Sequence, residues 1–132
     1  MDKLRVVLAD DHQMMLEGLR LLVNSQADME VVGEAENGQA ALVQAQKLQP
    51  DVVVMDINMP LMDGKTCLAE IKGNKSTSHL PVIIFSTSSD DRERDACKKI
   101  GASDFVCKPM SYHQMKETIS SIFNATNNTL FV

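Results

Sequence analysis

The chain has no tryptophan, so the usual intrinsic fluorescence readout is missing from its 132 residues. Cysteine is scarce. Cys67, Cys97 and Cys107 are odd in number, far apart and in no C-x-x-C pair, which argues against a disulfide framework and against a zinc site. They read as small core or near-surface thiols. His12, His79 and His113 are scattered, none at metal-ligand spacing from another, and no G-x-S-x-G elbow surrounds Ser86 to support a Ser/His/Asp hydrolase. Apolar runs stay far short of the ~18 residues a membrane span requires, and Met1-Asp2-Lys3-Leu4-Arg5 lacks the apolar core of a secretion signal. Positive charge is not in excess either. A net charge of -5 supplies no general attraction to nucleic acid or anionic membrane, and a cytoplasmic location is expected.

What is present is a chain of ordinary domain length, 44% hydrophobic, able to bury one sizeable core. Its short apolar runs end in chemically active groups. Asp10-Asp11 follow Val6-Val7-Leu8-Ala9, Asp56 follows Val52-Val53-Val54-Met55, Ser86 follows Val82-Ile83-Ile84-Phe85, and Lys108 follows Phe105-Val106-Cys107. An Asp after a strand is commonly only a helix N-cap. Four strand ends that all carry groups suited to a metal and a phosphate exceed that explanation. Runs of this kind read as buried parallel strands, whose carboxyl ends form the ligand crevice of an open α/β sheet.

Between the runs lie helical patterns, which argues for repeated βα units. Leu4 to Ala9 is a strand, followed by a helix whose stripe is Met15, Leu16, Leu19, Leu22 and Val23. Met29 to Ala35 is a second strand, Asn37-Gly38 a turn and cap, and Gln39 to Leu48 a helix stopped by Pro50. Asp51 to Met55 is apolar after its first residue and is expected to be the central strand. The loop Asn58-Met59-Pro60-Leu61-Met62-Asp63-Gly64 leads to a helix from about Thr66 to Lys72. A polar connection and Pro81 precede the fourth strand. The following helix, Asp90 to Ile100, has only Ala96, Cys97 and Ile100 as an apolar strip and is expected to be lightly anchored. Asp104 to Cys107 is the last strand. Ser111 with Gln114 makes a capping box for a final helix with Tyr112, Met115, Ile119 and Ile122 on its inner face. The polar segment 124–132 is expected to fray, as a flexible tail or linker remnant beyond a domain of residues 1–123.

The groups themselves state a chemistry. Carboxylates held close repel unless a cation neutralises them, and hard oxygen ligands suit Mg²⁺. Such an ion, together with a strand-end lysine, neutralises an incoming phosphoryl group, and a serine hydroxyl can hydrogen-bond one of its oxygens. Asp56 is the central carboxylate and therefore the candidate nucleophile, since carboxylates accept phosphoryl groups as aspartyl phosphates.

In combination, Asp10-Asp11, Met55-Asp56-Ile57-Asn58-Met59-Pro60 with Asp63-Gly64, Ser86, Gly101-Ala102 and Lys108-Pro109 resemble the receiver domain of two-component response regulators, over about residues 4 to 123. The resemblance implies a doubly wound five-stranded parallel sheet of order 2-1-3-4-5, the flavodoxin-like (βα)5 fold. It implies Asp56 as phosphoacceptor, supplied by a sensor histidine kinase or a histidine phosphotransfer protein. Mg²⁺ (or Mn²⁺) would sit on Asp11 directly, on Asp10 through a water, on Asp56 and on the Asn58 backbone carbonyl. Lys108 would pair with the phosphoryl group, and Lys108-Pro109 is where the family has a cis peptide bond. Ser86 corresponds to the switch hydroxyl, with Thr87 as second choice, and Phe105 to the switch aromatic. Having no phenol, Phe105 would switch by packing alone. Asn58 and Ser88 occupy the positions that tune self-dephosphorylation.

Rival classes share the toolkit. A haloacid-dehalogenase-type phosphatase needs a second Asp two residues after its nucleophile, where this chain has Asn58. A flavin binder of flavodoxin type needs a Ser/Thr/Gly-rich phosphate cradle, where the first loop is Asp10-Asp11-His12-Gln13. The output is expected to be protein contact by a stand-alone receiver with an unknown effector. The alternative is a receiver fragment of a helix-turn-helix transcription regulator. The charged run Asp91-Arg92-Glu93-Arg94-Asp95 reads as a solvated face, with a phosphorylation-dependent homodimer as the other possibility.

Overall fold

Strand segments of four to seven residues are too short for stable helices but long enough to cross a sheet, and the chain uses them that way. The structure is a computed structural model that describes residues 3–87, 90–108 and 111–131. Strands and helices alternate as β1 (Leu4–Ala9), α1 (Gln13–Ser25), β2 (Met29–Ala35), α2 (Gly38–Leu48), β3 (Val52–Asp56), α3 (Gly64–Gly73), β4 (Val82–Ser86), α4 (Asp91–Ile100), β5 (Asp104–Cys107) and α5 (Tyr112–Phe131). All strand pairs are parallel, in the order β2-β1-β3-β4-β5. This is the doubly wound flavodoxin-like fold expected above.

The central strand β3 is buried along its whole length. Each of its valines stabilises the fold by about 1.5–3 kcal/mol relative to exposure. Alternation divides the strands between two cores. Val7, Val53, Met55, Ile84 and Phe105 pack with α2, α3 and α4, through Ala41, Leu68, Ile71 and Cys97. Val6, Leu8, Val52, Val54, Ile83 and Phe85 face α1 and α5, through Leu16, Leu19, Val23 and Ile119. Of the inner stripe expected for α5, Ile119 is buried and Met115 half-buried. The side chains of Tyr112 and Ile122 lie outside the described ones.

Helix starts follow their caps. The Asn37 side chain accepts from Ala40 N–H, and the Asp63 side chain accepts from Thr66 N–H. The second cap starts α3 at Gly64, two residues before the expected Thr66. Ser111 Oγ accepts from Gln114 N–H at 3.2 Å, one half of the expected capping box.

The C-terminus differs from expectation. α5 continues through the segment read as a frayed tail and ends at Phe131. Residues 112–131 contain neither Gly nor Pro, and Asn and Thr each disfavour a helix by only about 0.7 kcal/mol, so nothing in the segment stops propagation. The light anchoring of α4 is as expected, since Cys97 is its one buried residue. Among the described residues no helix is long and apolar enough to cross a membrane.

Candidate functional site

The order β2-β1-β3 places a topological switch between β1 and β3, and the carboxyl ends of those strands open a crevice there. Asp10 and Asp11 leave β1 into it, and Asp56 ends β3. Asp10 is fixed by its own backbone, whose N–H donates to Ala35 O at 3.0 Å. Asp10 and Asp56 are buried, while Asp11 is exposed. Lys108 arrives from the end of β5. Its Nζ lies 2.8 Å from Asp10 Oδ2 and 3.4 Å from Asp56 Oδ2, with only 7% of the side chain exposed. β5 lies two strand spacings from β3, about 10 Å, so a side chain as long as lysine is needed to span the gap.

Burial holds the Asp56 carboxyl above its ordinary value. Lys108 pulls the other way, Asp10 adds to the rise, and the lysine hydrogen bond and the Asn58 backbone N–H oppose it. The ionised form is left short of positive charge, a deficit that a divalent cation would fill. Oxygens of Asp10, Asp11 and Asp56 and a ring nitrogen of His12 all lie within 4.8 Å of one another. A predominantly carboxylate donor set of this compactness fits Mg²⁺ or Mn²⁺.

His12 was missed as a neighbour of the site by reading the histidines only against each other. Its backbone N–H donates to Asp10 Oδ1 at 2.9 Å, and its Nδ1 stands 3.0 Å from Asp10 Oδ1 and 3.2 Å from Asp11 Oδ1. Direct succession to the Asp pair was the available signal.

Close backbone packing shapes the floor of the crevice. A Cβ on Gly64 would stand 2.4 Å from Asp56 O and 2.7 Å from Ile57 Cα, so only glycine lets α3 approach β3 here. In the intervening loop Leu61 takes φ 65°, a left-handed conformation strained for leucine, while Met62 N–H donates to Pro60 O at 2.7 Å.

Ser86 ends β4, is fully buried and lies opposite Cys107 of β5. Its carbonyl accepts from Lys108 N–H at 2.7 Å, which ties the two strand ends together. Thr87 is exposed. Phe105 is buried on the α4 side of the sheet, and the Arg94 guanidinium lies over its ring, 5.7 Å from the centroid. Asn58 is exposed in the loop after β3. Ser88 and the Lys108-Pro109 peptide bond fall outside the described residues.

A doubly wound sheet with a buried Asp/Lys crevice at its topological switch is the architecture of a receiver-type signalling domain. The chain belongs to the response regulator receiver domains, whose family profile matches residues 6–120. It is 35% identical over 95% of its length to a protein-glutamate methylesterase/protein-glutamine glutaminase of Methanosarcina acetivorans, covering 36% of that protein. It is 33% identical over 89% of its length to the transcriptional regulatory protein YdfI of Bacillus subtilis, covering 54% of it. The chain thus spans about a third to a half of these curated relatives. The response regulator domain of Thermotoga maritima CheB superposes with a TM-score of 0.83 at 30% identity, over 98% of both chains.

Proposed function

We propose that Asp56 accepts a phosphoryl group from the phosphohistidine of a sensor histidine kinase or a histidine phosphotransfer protein. The observation that carries this reading is one buried carboxylate, Asp56, facing a buried ammonium 3.4 Å away and flanked by the carboxylate pair Asp10 and Asp11. An Asp56 oxygen attacks phosphorus, the phosphorus–nitrogen bond breaks, and the imidazole leaves with a proton from water. Lys108 turns from Asp56 Oδ2 to a phosphoryl oxygen and keeps its pair with Asp10. Asp10, Asp11, Asp56 and the Asn58 carbonyl would hold Mg²⁺ or Mn²⁺, which when bound neutralises charge on the transferred group.

Ser86 then bonds a phosphoryl oxygen, Phe105 is held in its buried position beneath α4, and the surface of α4, β5 and α5 changes with them. Water attack on the aspartyl phosphate reverses the state. Asn58, small, polar and exposed, does not exclude that water, and Ser88 is proposed to act with it. We place the protein in the cytoplasm, with protein contact as its output. The relationship to a transcriptional regulatory protein favours a second reading, a receiver joined to a DNA-binding domain. The mass of the native protein discriminates between the two.

Treating the protein with a small-molecule phosphodonor and Mg²⁺ tests the reading by intact mass. The wild type gains one phosphate and Asp56→Asn gains none. A retained shift in Asp56→Asn refutes the assignment.

A further inference from the structure

We propose that Arg94 is a positioning residue for the switch, holding Phe105 inward and coupling the start of α4 to the phosphoryl site. The inference rests on the reading of Ser86 and Phe105 given above. β5 is an edge strand with Asp104 and Cys107 exposed, yet Phe105 is only 5% exposed. Phe105 belongs to the core cluster that includes Ile84 and Cys97, and the Arg94 guanidinium lies over its ring.

α4 has little else to hold its first half. Asp91, Arg92, Arg94 and Asp95 are exposed and Glu93 is only half-buried, so hydrophobic burial begins at Ala96 and Cys97. Arg94 also anchors the helix start through its own backbone, whose N–H donates to Asp90 O at 3.1 Å. Asp90 in turn is the N-cap and stands four residues after Ser86 in the chain. On the other side, Phe105 stands three residues before Lys108, whose N–H bonds Ser86 O. The ring and guanidinium therefore join the start of α4 to β5, the strand that carries Lys108 into the phosphoryl site. Phenylalanine offers no hydroxyl to a competing outward partner, so its quadrupole and the cation decide which way it sits. A cation–π contact at an exposed site corresponds to about a two- to fivefold shift in population.

Affinity for beryllofluoride with Mg²⁺, a mimic of the phosphoryl group, reads this shift in a double-mutant cycle. Arg94→Ala binds the mimic about two- to fivefold more weakly than wild type, Arg94→Lys retains part of the affinity, and Arg94→Ala has no effect in a Phe105→Leu background. The Arg94 δ-methylene protons show an upfield ring-current shift that disappears in Phe105→Leu. A loss of equal size in both backgrounds assigns Arg94 to helix stability alone and overturns the proposal, as does unchanged affinity in Arg94→Ala. A wild type that neither binds the mimic nor acquires phosphate on Asp56 refutes the underlying reading, and this one with it.

Discussion

Lys108 and Asp10 form a buried ion pair, Nζ to Oδ2 at 2.8 Å, and the same ammonium stands 3.4 Å from Asp56. One cation thus serves two buried carboxylates. Replacing it by an apolar side chain leaves both without their ammonium partner, at a cost of about 3–5 kcal/mol. Lys108→Met is expected to lower the urea midpoint accordingly, and Mg²⁺ is expected to raise it more in the variant than in wild type. Equal midpoints in the absence of metal contradict the account.

Asp56 sets a pH dependence whose sign follows from its raised pKa. Between the ordinary value of 3.8 and the higher folded-state value, the folded protein binds more protons than the unfolded chain, so stability from this group falls as pH rises through that window. Below 3.8 it is fully present. Asp56→Asn removes this limb of the stability curve. The same proton competes with the metal, so calorimetric Mg²⁺ affinity of the wild type weakens as pH drops through the window. A metal affinity flat across it argues against Asp56 as a ligand.

Gly64→Ala places a methyl group 2.4 Å from the Asp56 carbonyl. Backbone must move, at a cost of about 1–3 kcal/mol. Chemical denaturation is expected to show that loss, together with slower phosphorylation because the displaced backbone carries the acceptor. Wild-type behaviour in both assays would falsify the close-approach argument.

Ser86 and Thr87 separate by burial. Ser86→Ala is expected to weaken beryllofluoride binding about tenfold or more, as loss of a hydrogen bond to a charged group requires. Thr87→Ala, at an exposed position, leaves it within about twofold, the ±0.5 kcal/mol range of surface substitutions. The reverse ranking assigns the switch hydroxyl to Thr87.

Leu61 combines φ 65° with 82% exposure, so its side chain contributes little burial while its backbone is strained. Leu61→Asn, a residue that tolerates this conformation, is expected to stabilise by about 0.5–1 kcal/mol. Thermal unfolding measures the gain. A loss instead assigns the Leu61 side chain a packing role.

Much of the fold could be read from local pattern. β1, β2 and β5 lie where their apolar runs stand, and β3 is shifted by one residue, losing Asp51 and gaining Asp56, because a buried parallel strand announces itself by apolar residues on both faces. The site residues were legible for the same reason, each being the polar group that ends such a run. Less legible were features set by contacts across the chain. His12 at the carboxylates, Arg94 over Phe105 and the reach of Lys108 to Asp10 all depend on how loops and helices dock. The helical path to Phe131 is not legible from composition, because a polar segment with no helix breaker is compatible with either a helix or a coil.

By itself the sequence determined that this is a chain of βα units with carboxylates, a hydroxyl and an ammonium at its strand ends, since hydrophobic periodicity and turn chemistry act over neighbouring residues. Only the tertiary structure decided that Lys108 pairs first with Asp10, that burial raises the Asp56 carboxyl, and that a cation from α4 covers Phe105. Desolvation and ion pairing depend on what surrounds a group in space, and those surroundings come from residues far apart in the chain.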